Sequence, residues 1–140
     1  MPFTPIILCV DDDEDDLFFI KDIIESQGHN FEIKEAHNGW DALNYLEQGL
    51  KKNEFPCLII MDMNMPRMDG LEALAQIKAD PALRRIPVVV LTTSRSEKDI
   101  YRSYDLGANS YIGKPVTFSA LVEVMRSLGR YWFEIVQLPT

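Results

Sequence analysis

Four strand ends in this chain carry groups suited to one chemistry. Asp11 and Asp12 follow the apolar run Ile6-Ile7-Leu8-Cys9-Val10, and Asp62 follows Leu58-Ile59-Ile60-Met61. Thr92 closes Pro87-Val88-Val89-Val90-Leu91, and Lys114 follows Ser110-Tyr111-Ile112-Gly113. Three carboxylates brought together repel, at on the order of 4 kcal/mol per pair for a separation of about 4 Å and an effective dielectric near 20. A divalent cation offsets that repulsion, and an oxygen-only ligand set points to Mg²⁺, which keeps waters and binds phosphate oxygens. A carboxylate such as Asp62 can then act as nucleophile and form an aspartyl phosphate. Lys114 would hold a phosphoryl oxygen as a point charge, and the Thr92 hydroxyl would hydrogen-bond another. Each group also has a plainer role. The acid run is a favourable helix start, Thr92 a strand-end cap and Lys114 a surface lysine. Asp13, Asp15 and Asp16 are read as that helix start only, and Asp69-Gly70 as the turn and cap of the next helix. The coincidence at several strand ends favours a phosphate and a metal.

The elements that must bring these ends together alternate along the chain. Short apolar runs at Ile6–Val10, Leu58–Met61 and Pro87–Leu91 predict strands buried on both faces. Phe31–Ala36 alternates, which predicts a strand with one wetter face, and Ser110–Gly113 predicts a short strand. Between them Leu17, Phe18, Ile20, Ile23 and Ile24 recur at helical spacing. So do Trp40, Leu43, Tyr45 and Leu46, then Leu71, Leu74, Ala75 and Ile77. A mixed face of Ile100, Tyr101, Tyr104 and Leu106 follows, and last Leu121, Val122, Val124, Met125 and Leu128. Gly28 and Gly107 are read as helix stops, with Gly49 near a helix end. Asn38-Gly39 is read as a turn and Ser96 as an N-cap. The result is an α/β fold: a doubly wound five-stranded parallel sheet with helices on both faces. By analogy its strand order is the flavodoxin-like 2-1-3-4-5, which seats ligands beyond the carboxyl ends of the strands.

Composition bounds the rest. A chain of 140 residues fits one domain. Its 22 acidic against 14 basic residues give a formal net charge of -8, which argues against binding a nucleic-acid backbone. No apolar run reaches the roughly 20 residues that span a bilayer. Met1-Pro2-Phe3-Thr4-Pro5 carries no basic region ahead of an apolar stretch, so no signal peptide is expected. A cytoplasmic protein with Cys9 and Cys57 as reduced, buried thiols is the expectation.

Four motifs carry a family resemblance: Val10-Asp11-Asp12, Met61-Asp62-Met63-Asn64-Met65-Pro66-Arg67-Met68-Asp69-Gly70, Leu91-Thr92-Thr93 and Tyr111-Ile112-Gly113-Lys114-Pro115. In this order and spacing they resemble the receiver domain of bacterial two-component response regulators. The resemblance implies that Asp62 is the phospho-acceptor and that Asp11 and Asp12 bind Mg²⁺, Asp12 the more direct ligand. It implies that Asn64 offers its backbone carbonyl to the metal and that Lys114 engages the phosphoryl group. It gives Thr92 and Tyr111 the role of a switch, the hydroxyl closing on the phosphate and the ring following. It also implies a cis Lys114-Pro115 bond.

The receiver would occupy residues 1–129, leaving 130–140 as a short aromatic tail with no output domain. That tail, Ile86–Ser94 and Tyr104–Gly107 are similar to single-domain regulators of the cyanobacterial phytochrome type. The implied partner is a sensor histidine kinase, such as a bacterial phytochrome. Tyr131, Trp132, Phe133, Ile135, Val136 and Leu138 are too apolar to stand in water. We expect a homodimer that buries them with the fourth and fifth helices, Tyr101, Tyr104, Tyr131, Trp132 and Phe133 on its surface. The competing expectation is that the tail packs back on its own last helix. Two other functions compete. A phosphorylation-independent receiver-like docking module would be expected to lose the acids or the lysine, which this chain keeps. A phosphatase of the haloacid dehalogenase class also uses an aspartate on such a sheet, but calls for a second acid where Asn64 stands.

Overall fold

Apolar pentads with no polar alternation can hide only between two layers, and here they do. The computed structural model describes residues 5–28 and 30–139. The element order is β1 (Ile6–Val10), α1 (Glu14–Ser26), β2 (Glu32–Ala36), α2 (Gly39–Lys52), β3 (Leu58–Met61), α3 (Gly70–Ala79), β4 (Val88–Thr92), α4 (Glu97–Asp105), β5 (Ser110–Gly113) and α5 (Phe118–Gly129). All five strands pair in parallel in the order β2-β1-β3-β4-β5. Every residue of β1, β3 and β4 is buried, whereas the edge strand β2 buries only Ala36. Residues 1–4, on which the signal-peptide expectation falls, and Thr140 lie outside the described residues.

Alternate strand residues face opposite layers. Leu8, Val10, Ile59, Met61, Val88 and Val90 pack with Leu46, Leu74 and Ile77 of α2 and α3. Ile7, Cys9, Leu58, Ile60, Val89 and Leu91 pack with Leu17, Ile20 and Ile24 of α1 and Leu121 and Met125 of α5. Full burial of one such Leu or Ile contributes about 1.5–3 kcal/mol. The two layers therefore fix strand order and register together.

The helix ends follow their caps. Asp13 is the N-cap of α1, its carboxylate accepting from the backbone N–H of Asp15 and Asp16. Asn38, read as a turn, caps α2 through the Asp41 N–H at 2.9 Å. Asp69 caps α3 through Glu72 N–H, and Ser96 caps α4. Gly28 leaves α1 with φ +80°, a conformation that costs glycine nothing. Helix α2 runs past Gly49 to Lys52 and ends where Asn53 turns left-handed at φ 56°. Phe18, expected on the buried face of α1, is exposed.

One further expectation differs from the structure, and on another the structure favours the competing reading. The Lys114-Pro115 bond is not cis, since the described residues contain no cis peptide; the two X-Pro isomers lie within about 1 kcal/mol of each other. The tail packs on its own chain, as the competing expectation has it. Arg130–Ile135 continues α5 as a wider π-helical turn, in which Val136 N–H donates to the Tyr131 carbonyl at 2.9 Å. Trp132, 8% exposed, joins the α1/α5 layer, and the Phe133 ring meets Phe31 at 4.5 Å. Trp132 is buried yet still borders a groove with Tyr104, Tyr111 and Tyr131, and Phe133 is half-buried. Packing within one chain buries these rings without the entropy cost of association. Tyr101, Tyr104 and Tyr131 remain exposed.

Candidate phosphoryl and metal site

Pairing sets the site before any side chain does. Val10 stands opposite Met61 in the β1–β3 ladder, so Asp11 and Asp62 emerge together at its carboxyl end. Their backbone amides extend the sheet, Asp62 N–H to Val10 O at 2.9 Å and Asp11 N–H to Ala36 O at 3.0 Å. Lys114 N–H donates to Thr92 O at 2.6 Å, which brings the end of β5 beside that of β4. Gly70 lets the acceptor loop close. Its N–H donates to Met63 O at 2.9 Å, and a Cβ there would stand 2.8 Å from Met63 Cα and closer still to the Asp62 carbonyl oxygen.

One carboxylate oxygen from each of Asp11, Asp12 and Asp62 converges within 4.8 Å. Asp11 and Asp62 are buried and Asp12 is exposed, so the cluster opens to solvent on one side. This all-oxygen donor set, crowded and only partly neutralised, fits a hard divalent cation. Asp62 Oδ1 accepts from Met63 N–H at 2.8 Å. Lys114 Nζ lies 2.7 Å from Asp11 Oδ2, 2.8 Å from Asp16 Oδ2 and 3.9 Å from Asp62 Oδ2.

Burial pushes the Asp11 carboxyl up to about 6, although the hydrogen bonds from Lys114 and Asp13 N–H pull the other way. Burial acts to lower Lys114, but hydrogen bonds to Asp11 and Asp16 outweigh it and hold the ammonium above its ordinary value. Lys114 is therefore a fixed positive charge at neutral pH.

The structure brings Asp11, Asp12, Asp62 and Lys114 into one group. Thr92 is fully buried at the end of β4, its Oγ1 accepting a long bond from Ser94 N–H at 3.4 Å. Asn64 is exposed on the loop after β3. Tyr111 lies outside the acid group, its hydroxyl donating to Ser94 O at 2.8 Å and so touching the β4–α4 loop. That loop is further held by Ser94 Oγ on Asp99 Oδ2 at 2.6 Å and by Arg95 on the Lys114 carbonyl at 3.1 Å.

Asp16 corrects the sequence reading. Taken as part of a helix start, it is an ion-pair partner of Lys114 from a position 98 residues away. Asp16 stands in the first turn of α1, just after the loop that carries Asp11 and Asp12, and nothing local marks it as a partner of Lys114.

The comparisons agree with this geometry. The model of the response regulator receiver domain matches residues 7–126. Response regulator Rcp1 of Synechocystis sp. is 36% identical over 136 residues, covering 96% of this chain and 92% of that protein. The polar-differentiation response regulator DivK of Brucella ovis is 32% identical, covering 89% and 95%. Among solved structures, the phosphorylated cyanobacterial phytochrome response regulator RcpA superposes with a TM-score of 0.93 at 37% identity, covering 99% of this chain and all of that one. The Mn(2+)-bound form of Rcp1 gives 0.90 at 37% identity, covering 97% and 99%.

Proposed function

Because the chain belongs to the response regulator receiver family, a family of phospho-acceptor signalling domains served by sensor histidine kinases, we propose that Asp62 is its acceptor. The observation that carries this is the meeting of Asp62 with Asp11, Asp12 and Lys114 at one sheet edge. The kinase presents a phosphohistidine. A carboxylate oxygen of Asp62 attacks the phosphorus, the O–P bond forms, the N–P bond breaks, and the histidine leaves with the electron pair and takes up a proton. Positioning and charge stabilisation do most of the work in such transfers.

Each residue has a part. Asp11 and Asp12 hold a divalent cation with Asp62, and Asn64 lends its backbone carbonyl. The bound cation, Mg²⁺ in this reading, supplies positive charge to the phosphoryl oxygens. Lys114 contributes its charge to the same oxygens. Thr92 then donates its hydroxyl to the phosphoryl group, and Tyr111, tied to the same loop through Ser94 O, follows it. This is a bias between two states, so the phosphoryl group must bind one of them better. Reversing a 99:1 ratio takes about 5.5 kcal/mol of differential binding. RcpA is a cyanobacterial phytochrome response regulator, and the likeness to it favours a phytochrome-type kinase in the cytoplasm. The described residues contain no helix long and apolar enough to cross a membrane.

The signal leaves through the face of α4, β5 and α5. An open groove of about 610 Å³ there is bordered by Tyr104, Tyr111, Val124 and Tyr131, and a second copy of the chain is its proposed occupant.

Incubation with acetyl phosphate should add one hydroxylamine-labile phosphoryl group per chain when Mg²⁺ is present, none when it is chelated beforehand, and none to Asp62→Asn. A docking module independent of phosphorylation would take up none.

A further inference from the structure

Lys114 is shared unequally among three carboxylates. An ammonium has three donors. Two are spent at 2.7 Å on Asp11 and 2.8 Å on Asp16, while Asp62 at 3.9 Å stands beyond hydrogen-bond length. Lys114 therefore rests on the acid-pair side of the site. To reach charge-assisted hydrogen-bond length on the Asp62 side it must close a gap of about 1 Å. A third donor is free for that contact, but moving Nζ toward Asp62 lengthens at least one of the two present contacts.

Burial decides which. The Asp11 side chain is 4% exposed, and even with one of its oxygens turned to a cation, the oxygen that Lys114 left would have no water to replace the ammonium. The Asp16 side chain is 27% exposed, so water can replace the ammonium at small cost. Asp16 also lies outside the trio whose oxygens converge for a cation. It is held in place all the same, since its backbone N–H is capped by Asp13 Oδ1 at 3.2 Å in the first turn of α1.

We infer that Asp16 is a positioning residue that parks Lys114 and competes with the phosphoryl group on Asp62 for it. On loading, Lys114 keeps Asp11 and exchanges Asp16 for a phosphoryl oxygen. Asp16 thus sets how strongly the resting state is favoured over the loaded one. The inference rests on Asp62 being the acceptor.

The test is the affinity of the full chain for beryllofluoride at saturating Mg²⁺, followed by ¹⁹F NMR, for wild type, Asp16→Asn and Asp16→Glu. Asp16→Asn should bind roughly three- to ten-fold more tightly, and Asp16→Glu, which restores the charge, should return to within about twofold of wild type. An Asp16→Asn affinity equal to or weaker than wild type overturns the inference, and so does Asp16→Glu behaving like Asp16→Asn. An Asp16→Asn chain that does not fold also overturns it, because a partner that can be released is not one the fold depends on. Wild type that fails to bind beryllofluoride defeats the acceptor reading itself. Wild type that binds, with Asp16→Asn unchanged, defeats only the parking role.

Discussion

Asp11 and Lys114 answer each other's burial. Alone, each would be a charge with almost no water; together at 2.7 Å they hold both charges in place. The acids still outnumber the lysine, an excess of negative charge that suits a divalent cation, and the proposed phosphoryl group would depend on that cation and on Lys114 to offset it. The two thiols illustrate the opposite case, buried groups with no opposite charge. Burial raises Cys57 from an ordinary 9.0 to about 11, and it raises Cys9 to about 12. A native thiol that holds its proton more tightly than the unfolded one contributes stability that is complete below pH 9 and is lost as pH rises toward the native value. Urea titrations should therefore show wild type losing roughly 2 kcal/mol more than Cys57→Ala between pH 8 and pH 11. Equal losses would mean that Cys57 is not shielded.

The elements explain why most of this was legible and the rest was not. Strands β1, β3 and β4 announce themselves because burial on both faces admits only apolar residues, and the site acids stand out as the first polar residues after them. The caps at Asp13, Asp69 and Ser96 follow from local chemistry alone. Two features depend on distant parts of the chain and carry no local signal. The Asp16–Lys114 ion pair needs the βα ends to be assembled first. The π-helical turn owes its place to the pockets that Trp132 and Phe133 find against the α1/α5 layer and Phe31. Apolar character alone does not say whether a ring will pack on its own chain or on another. If the tail is part of the domain core, Trp132→Ala should cost about 3 kcal/mol in equilibrium unfolding. A change under about 0.5 kcal/mol, the range of ordinary surface substitutions, would mean that the tail is not docked in solution.

For the whole molecule, the phosphoryl site and the exposed tyrosines lie on different elements joined by the β4–α4 loop, where Tyr111 and Arg95 tie β5 and Lys114 to Ser94 and its neighbours. The loop is the route by which a charge on Asp62 would reach the face of α4, β5 and α5. The most exposed side chains of the proposed contact between copies are Tyr101, Tyr104 and Tyr131, with Trp132 at the groove wall. Sedimentation at tens of micromolar should find a dimer for wild type, and Tyr131→Asp should weaken association by about tenfold or more without loss of folding. A wild-type monomer at that concentration would count against the dimer and leave the phosphoryl site untouched. The claim on which the account depends is the identity of the acceptor. Borohydride reduction of the phosphorylated protein converts an aspartyl phosphate to homoserine, and peptide mass spectrometry finds its position. The account predicts homoserine at position 62 alone. Homoserine at position 11 or 12, or label retained by Asp62→Asn at the wild-type rate, would contradict it.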